Sequence, residues 1–350
     1  VRERQTVAGA PIEMEYGYDV MRRRVRASTT SGYDVAIERD VSGRWNTVSV
    51  GGTVVTSHEY DPLGRELRRL LPGGAVVETA FTPIGDVAMR RLVRPAGRRA
   101  LDEPEELGPL ARAKAIIEKR FIYQPNTWLA SRHDNLQGSV EYEYDVRGRV
   151  LSATRTGGAA TRFAYDACGN LLPQGQPRSY TPGNRLVRAG DVDYKSDAQG
   201  RIVEKVRTLS DGARERTTYE WDGAGNLKRV VLPDGRRVDL DYDPFARRFR
   251  KRVFAHDPRT GTHRLVRDVR YVWNGAQIAQ EIVREPSGDA DPVVAERVYV
   301  YDPGGAPMAH VDVEGSTRVT RYYVTDHAGT PEQIVDERGA LVGEISIIAR

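Results

Sequence analysis

Asp239, Asp241 and Asp243 alternate in VDLDYDP, so on a strand their carboxylates share one face, where they could hold Ca²⁺ or act as an acid–base pair. The glycine and distal glutamate of an EF-hand loop are absent and Asp243 is also a turn Asp, so solvated strand carboxylates are the favoured reading. The histidines, His58, His133, His256, His263, His310 and His327, form no HExxH pair. His256 and His263 flank a turn and could meet across a hairpin as metal ligands. Cys168 lies in the turn-like run AYDACGNLL, and no G-x-S-x-G elbow offers a serine nucleophile. Asp326 adjoins His327, a pair able to move a proton, but its turn-like surroundings favour a structural role. Gly-rich pieces such as PGGA lack the parallel strand-to-helix setting of a phosphate cradle. The residues therefore predict no catalytic, cofactor-binding or metal site.

Asp243 belongs to a recurring phrase. Steps of 21 residues from Tyr60 land on Tyr18, Arg39, Phe81, Tyr123, Tyr144 and Tyr165, and fail only at Asp102. The same step joins Trp221 to Tyr242 and Tyr301 to Tyr322. Aromatic and Asp stand together in Tyr18-Asp19, Tyr60-Asp61, Tyr144-Asp145, Tyr165-Asp166, Trp221-Asp222, Tyr242-Asp243 and Tyr301-Asp302. Gly64, Gly148, Gly169, Gly225 and Gly305 follow three residues after the Asp. The Asp can accept backbone amides ahead of it, Pro presets φ and Gly takes the left-handed conformation, which is the recipe for a type I turn with a glycine bulge. The aromatic ends the incoming strand, where its ring can pack on the next hairpin while its hydroxyl stays in water. A second turn, such as Gly73-Gly74 or Gly157-Gly158, comes about 13 residues after each aromatic. Two turns per unit leave strands of ordinary length, and stacked units make one long antiparallel sheet.

Composition agrees with a thin, wetted structure. The 350 residues are 39% hydrophobic and 29% charged, with 34 Gly and 19 Pro spread along the chain. Of the 53 Lys and Arg residues 47 are arginine, but 49 acidic residues interleave with them and leave a net charge of only +4. Arg247 to Arg252 alternates like a strand, so the arginine content is assigned to surface composition and no nucleic-acid partner is expected. One cysteine excludes an internal disulfide, and no run approaches the roughly 18 apolar residues of a membrane span. The first twenty residues carry no signal-peptide core, so synthesis in the cytoplasm and export or surface association by another route are expected.

One stretch departs from the register. Pro109 suits the first turn of a helix, and Leu110, Ala113 and Ile117 share a face of residues 109–120, which predicts a short helical insertion within 95–120. Residues 172–190 and 285–292 read as irregular connections or shortened repeats.

Tyr-Asp-x-x-Gly-Arg or Gly-Asn at this spacing resembles the YD repeat of the Rhs family of bacterial polymorphic toxins, and is similar to the YD shells of insecticidal toxin complexes and animal teneurins. The segment 321–343, with Asp326-His327-Ala328-Gly329-Thr330-Pro331, resembles the Asp-His-x-Gly-Thr-Pro stretch near the end of Rhs shells. The resemblance covers roughly residues 14–343. It implies an all-β fold over 1–350, a YD-repeat antiparallel sheet spiralling into a shell or shell segment around a C-terminal toxin. Because the chain ends at GEISIIAR, where the family continues into a self-cleaving core, neither protease residues nor toxin activity are carried over. The implied partners are the remainder of a shell, an enclosed toxin domain and a delivery-apparatus protein. Two other readings stay open: a YD module that contacts carbohydrate or a cell-surface partner, and a self-cleaving protease.

Overall fold

The computed structural model describes residues 2–7, 10–94, 114–173, 177–181, 183–286 and 292–345. These form thirty β-strands, from Arg2–Val7 to Leu341–Glu344, and no helix. Strands adjacent in sequence are adjacent in the sheet, which gives two fifteen-stranded sheets. The first runs from Arg2–Val7 to Leu171–Pro173 and the second from Arg178–Thr181 to Leu341–Glu344. The break falls in the stretch 172–190, where Arg178–Thr181 and Arg185–Ala189 form a shortened hairpin.

Purely local antiparallel pairing follows from the short turns, since a hairpin returns the chain beside the strand it has just left. The turns also part the ladder, because the register slips by one residue at Glu59/Tyr60, Glu143/Tyr144, Glu220/Trp221 and Val300/Tyr301. Such bulges bend a strand and raise its twist.

A single sheet must cover one face to exclude water, and here the two ends of the array cover each other. Met14, Val48, Leu92 and Ile117 of the first sheet share one core with Val272, Met308, Tyr322, Val324 and Val335 of the second, each at most 1% exposed. Burying a side chain of this size contributes about 1.5–3 kcal/mol. Between these ends the array is one layer thick: Ala160–Tyr165, Arg178–Thr181, Arg185–Ala189 and Arg214–Trp221 bury no residue on either face. At the first edge the Gln5 amide imitates a ladder, donating to Trp273 O at 2.5 Å and accepting from Trp273 N at 3.1 Å.

The expected helix is corrected where it is described. Ala115–Tyr123 is a strand paired on both sides, and residues 95–113 lie outside the described residues. Ile117, Lys119 and Phe121 are its buried positions, a period of two. Two neighbouring ladders outweigh the propensity of a helical stripe, which single-residue preferences of a few tenths of a kcal/mol cannot resist.

Gly64 and Gly148 close their turns at φ +82° and +79°. In chemical denaturation Gly64→Val is expected to cost about 1 kcal/mol or more. Gly148→Val should cost more, because a Cβ there would also lie 2.9 Å from the Trp128 ring while none is nearer than 4.0 Å at Gly64. Equal, unchanged stability in both variants would remove the positive-φ turn as the cause.

Candidate functional site

The repeated turn is built on one carboxylate. In Asp61–Arg65 the Asp61 amide donates to Arg65 O at 3.0 Å and Gly64 N donates to Asp61 O at 2.9 Å. Asp Oδ1 then accepts the amide four residues on at 2.8–3.0 Å in the turns of Asp19, Asp61, Asp145, Asp166, Asp222, Asp243, Asp302 and Asp326. Thr82 does the same with its hydroxyl, accepting Asp86 N at 3.0 Å. The third residue after the first turn residue has positive φ even without glycine, as at Arg22, Thr127, Asn184 and Ala246. The Asp145 carboxyl is held below the usual carboxylate range, first by the Arg149 amide.

The arginine that follows the positive-φ residue was the feature missed by reading the arginines as surface composition. Its Nε donates to Asp Oδ2 at 2.6–2.7 Å in the turns of Asp19, Asp40, Asp61, Asp145, Asp197 and Asp243. The same guanidinium reaches the next unit: Arg44 lies 5.2 Å over the Tyr60 ring, Arg65 4.7 Å over Phe81, Arg149 4.5 Å over Tyr165 and Arg201 5.7 Å over Trp221. Arg44 and Arg201 also donate to the carbonyls of Asp61 and Asp222, at 3.2 and 3.3 Å. Each of these four turns is thus fastened to the following unit. A sequence signal existed, since Arg44, Arg65 and Arg149 each precede an aromatic by 16 residues. Asn170 and Asn226 keep the bond to their Asp, and Asn170 exchanges amide bonds with Asn184 across the break between the sheets.

Four of the tyrosine hydroxyls are not left in water, although Tyr18 is exposed. Tyr123, Tyr144, Tyr165 and Tyr301 donate to the carbonyls of Val87, Leu129, Val150 and Ile278, and the Trp221 and Trp273 indoles donate to Ile202 and Arg248, all at 2.8–2.9 Å. These carbonyls lie near the start of the preceding strand, where the bulge carries the ladder apart. An orphaned backbone acceptor costs about as much as a lost hydrogen bond, and the aromatic donor removes that cost.

The segment Asp326–Pro331 joins the two sheets. Arg90 donates to Thr325 Oγ1 and, at 2.9 Å, to Asp326 O. The His327 ring packs 5.1 Å from Phe121 and 6.1 Å from Tyr123, and its Nδ1 is buried with no hydrogen-bond partner. Just beyond Pro331, Glu332 pairs with Lys119 and with Arg132, the latter at 2.6 Å, while Asp134 lies 3.7 Å from Lys119. Lys119 and Asp134 are each 1% exposed. Burial pushes the Glu332 carboxyl up, but hydrogen bonds from Lys119 and Arg132 outweigh it and lower its pKa. Nearby, His58 Nδ1 donates to Glu66 Oε1 at 2.5 Å and Arg69 Nη2 to Glu66 Oε2 at 2.6 Å. Burial pushes Glu66 up as well, and the Arg69 charge with the bonds from His58 and Arg69 overrides it, bringing the carboxyl down to about 2. Burial, with Arg69 beside it, pulls Arg90 down.

The other candidate groups are dispersed or neutralised. Asp239 pairs with Arg229 at 2.7 Å and Asp241 with Arg252 at 3.0 Å, while Asp243 holds its own turn. The His256 and His263 rings do meet across their hairpin, with centroids 5.0 Å apart. Among the described residues no three His, Cys, Asp or Glu side chains gather closely enough for an ion. Cys168 is exposed in its turn. Burial lowers the His310 pKa to about 4, so this 3%-exposed ring is neutral beside Tyr299 and Tyr323. Among the described residues no helix is long and apolar enough to cross a membrane.

The model of a family described as teneurin YD-shell matches residues 110–347. The chain is 31% identical over 317 residues to double-stranded DNA deaminase toxin A of Burkholderia cenocepacia, covering 85% of this chain and 20% of that protein. It is 29% identical over 414 residues to toxin protein Tse5 of Pseudomonas aeruginosa, covering 96% of this chain and 30% of that one. It therefore spans a third or less of these relatives. Among solved structures it aligns with the crystal structure of TcdB2-TccC3-TEV at a TM-score of 0.65 and 15% identity, over 97% of this chain and 18% of the other, a likeness of fold.

Two outcomes follow from this geometry. Tyr165→Phe leaves the Val150 carbonyl without its side-chain donor and is expected to cost about 1 kcal/mol in urea denaturation. Glu66 is lowered in the folded state from its ordinary 4.5 to about 2, so the stability it adds is complete above pH 4.5 and is lost as pH falls through about 2. Glu66→Gln should therefore flatten the acid limb of a stability-against-pH curve; an unaltered limb would assign it to other carboxylates.

Proposed function

The chain belongs to the teneurin YD-shell family, and from that premise we propose that it is a non-enzymatic wall segment of an Rhs-type toxin, enclosing or presenting a C-terminal effector. The observation that carries the reading is the uninterrupted local order of both sheets, with a stretch only one layer thick between the packed ends. A one-layer sheet encloses the most volume per residue, since no residue stands behind another. Its ladders satisfy the backbone of the wall, and the turn arginines tie one unit to the next, so the wall resists opening between units. Strands at the sheet edges have one neighbour each, and an open edge recruits further strands.

The partners of such a segment are the rest of a shell, the effector it surrounds and the apparatus that delivers both. The names of the matched relatives, a DNA deaminase toxin and a toxin protein, support an effector as the cargo. Synthesis in a bacterial cytoplasm and subsequent delivery fit the same role.

The test joins a protease-sensitive reporter domain to the C-terminus and follows its digestion by trypsin beside sedimentation of the same material. The expected result is association at micromolar concentration with digestion at least tenfold slower than for the free reporter. A compact monomer whose reporter is cut at the free rate overturns the proposal.

A further inference from the structure

Where the two sheets meet near Tyr301 they leave an open cleft of about 560 Å³, within the size range of ligand sites. One wall is Tyr33, Arg39 and Trp45 with Arg24, and the other is Asn274 with Tyr299 and Tyr301. Residues some 250 positions apart thus build it, and Arg24 donates across the junction to Asn274 Oδ1 at 2.8 Å.

Two guanidiniums in this cleft differ from the cross-strand arginines of the sheets. Arg26 on the cleft margin is matched by Asp34 through bonds of 2.8 and 3.0 Å, as Arg250 is by Asp268 and Arg297 by Asp312. Arg24 and Arg39, both part-buried, have only neutral partners among the described residues. Arg24 rests 5.6 Å over the Tyr16 ring besides its bond to Asn274. Arg39 donates to Gly43 O at 2.8 Å and Arg24 O at 2.9 Å, and its Nε is buried with no partner. Asp302 also lines the cleft, its Oδ1 held by Ala306 N at 2.9 Å and its charge shared with Arg69 and Arg90, while Glu281 acts on Tyr299 and Tyr301 from beyond the lining. Two fixed cations against one tethered carboxylate leave the lining of the cleft positive on the Arg24 and Arg39 side. A part-buried charge without a counter-ion costs free energy that an incoming anion recovers, and a guanidinium fork favours a carboxylate. The aromatic walls ask for more than a bare anion, since rings of this kind bind by covering apolar surface.

We propose that this cleft binds an acidic polypeptide segment, a Glu or Asp side chain between Arg24 and Arg39 with its apolar or aromatic neighbours against Trp45 and Tyr299. The segment it takes belongs to the enclosed effector, and in that respect the proposal rests on the wall reading. Binding by the isolated chain is independent of enclosure, so the two fail separately.

The probe is a dye-labelled peptide, acetyl-Tyr-Glu-Tyr-Glu-amide, read by fluorescence polarisation against its Gln counterpart. The Glu peptide is expected to bind at least tenfold tighter than the Gln peptide. Arg24→Gln and Arg39→Gln should each lose about tenfold, while Arg264→Gln, an exposed residue away from the cleft, should match the parent. Melting temperatures identify a variant that fails to fold; if Arg39→Gln does, Arg24→Gln carries the test, since it gives up one side-chain bond and a ring contact. Equal binding of the two peptides, or full binding by Arg24→Gln, overturns the proposal. Thermal stabilisation by inorganic phosphate with no peptide binding also overturns it, in favour of a small-anion site.

Discussion

A carboxylate that accepts the amide four residues ahead fixes where most units of this chain reverse direction, and at Thr82 a hydroxyl takes its place. The bond sets the turn, the turn sets a bulge, and the bulge frees a carbonyl at the start of the preceding strand. The aromatic at the end of the next strand then donates to that carbonyl, as Tyr165 does to Val150. Asp, Gly, Arg and aromatic are therefore one mechanical element, and losing the Asp, or a Tyr or Trp at the aromatic position, leaves a polar group of its neighbours without its partner.

Such an element controls one edge of a sheet but not its faces. Each unit has too little apolar surface to hold itself together, and cooperation between neighbours supplies the rest. The arginine relay spreads that cooperation along the rim, from Arg44 to Tyr60 and from Arg65 to Phe81. At the two ends of the array cooperation takes another form, where the sheets share an apolar core and a set of buried ion pairs. A buried pair is a weak source of net stability but a strict one of register, because displacing Glu332 would strand Lys119 without its nearest anion.

Much of the fold could be read from the chain. The 21-residue spacing gave the strands their turns, and a turn of that kind admits only antiparallel neighbours. The role of the arginines was harder to see, because a guanidinium that grips its own turn and covers the next ring looks, in composition, like an ordinary surface residue. The stretch around Ile117 was misread for a related reason: Leu110, Ala113 and Ile117 recur at helical spacing, while the burial of Lys119 that marks a strand becomes intelligible only with Glu332 beside it.

By itself the sequence determined what is local, namely the Asp turns, the positive-φ position after them and the order of strands, since each depends on contacts within a few dozen residues. Only the tertiary structure decided which faces meet. Lys119 and Glu332 are 213 residues apart, and Arg90 and Asp326 are 236 apart. No periodicity within a unit encodes a contact between units so distant, because that contact depends on twist and bend accumulated over all the strands between them.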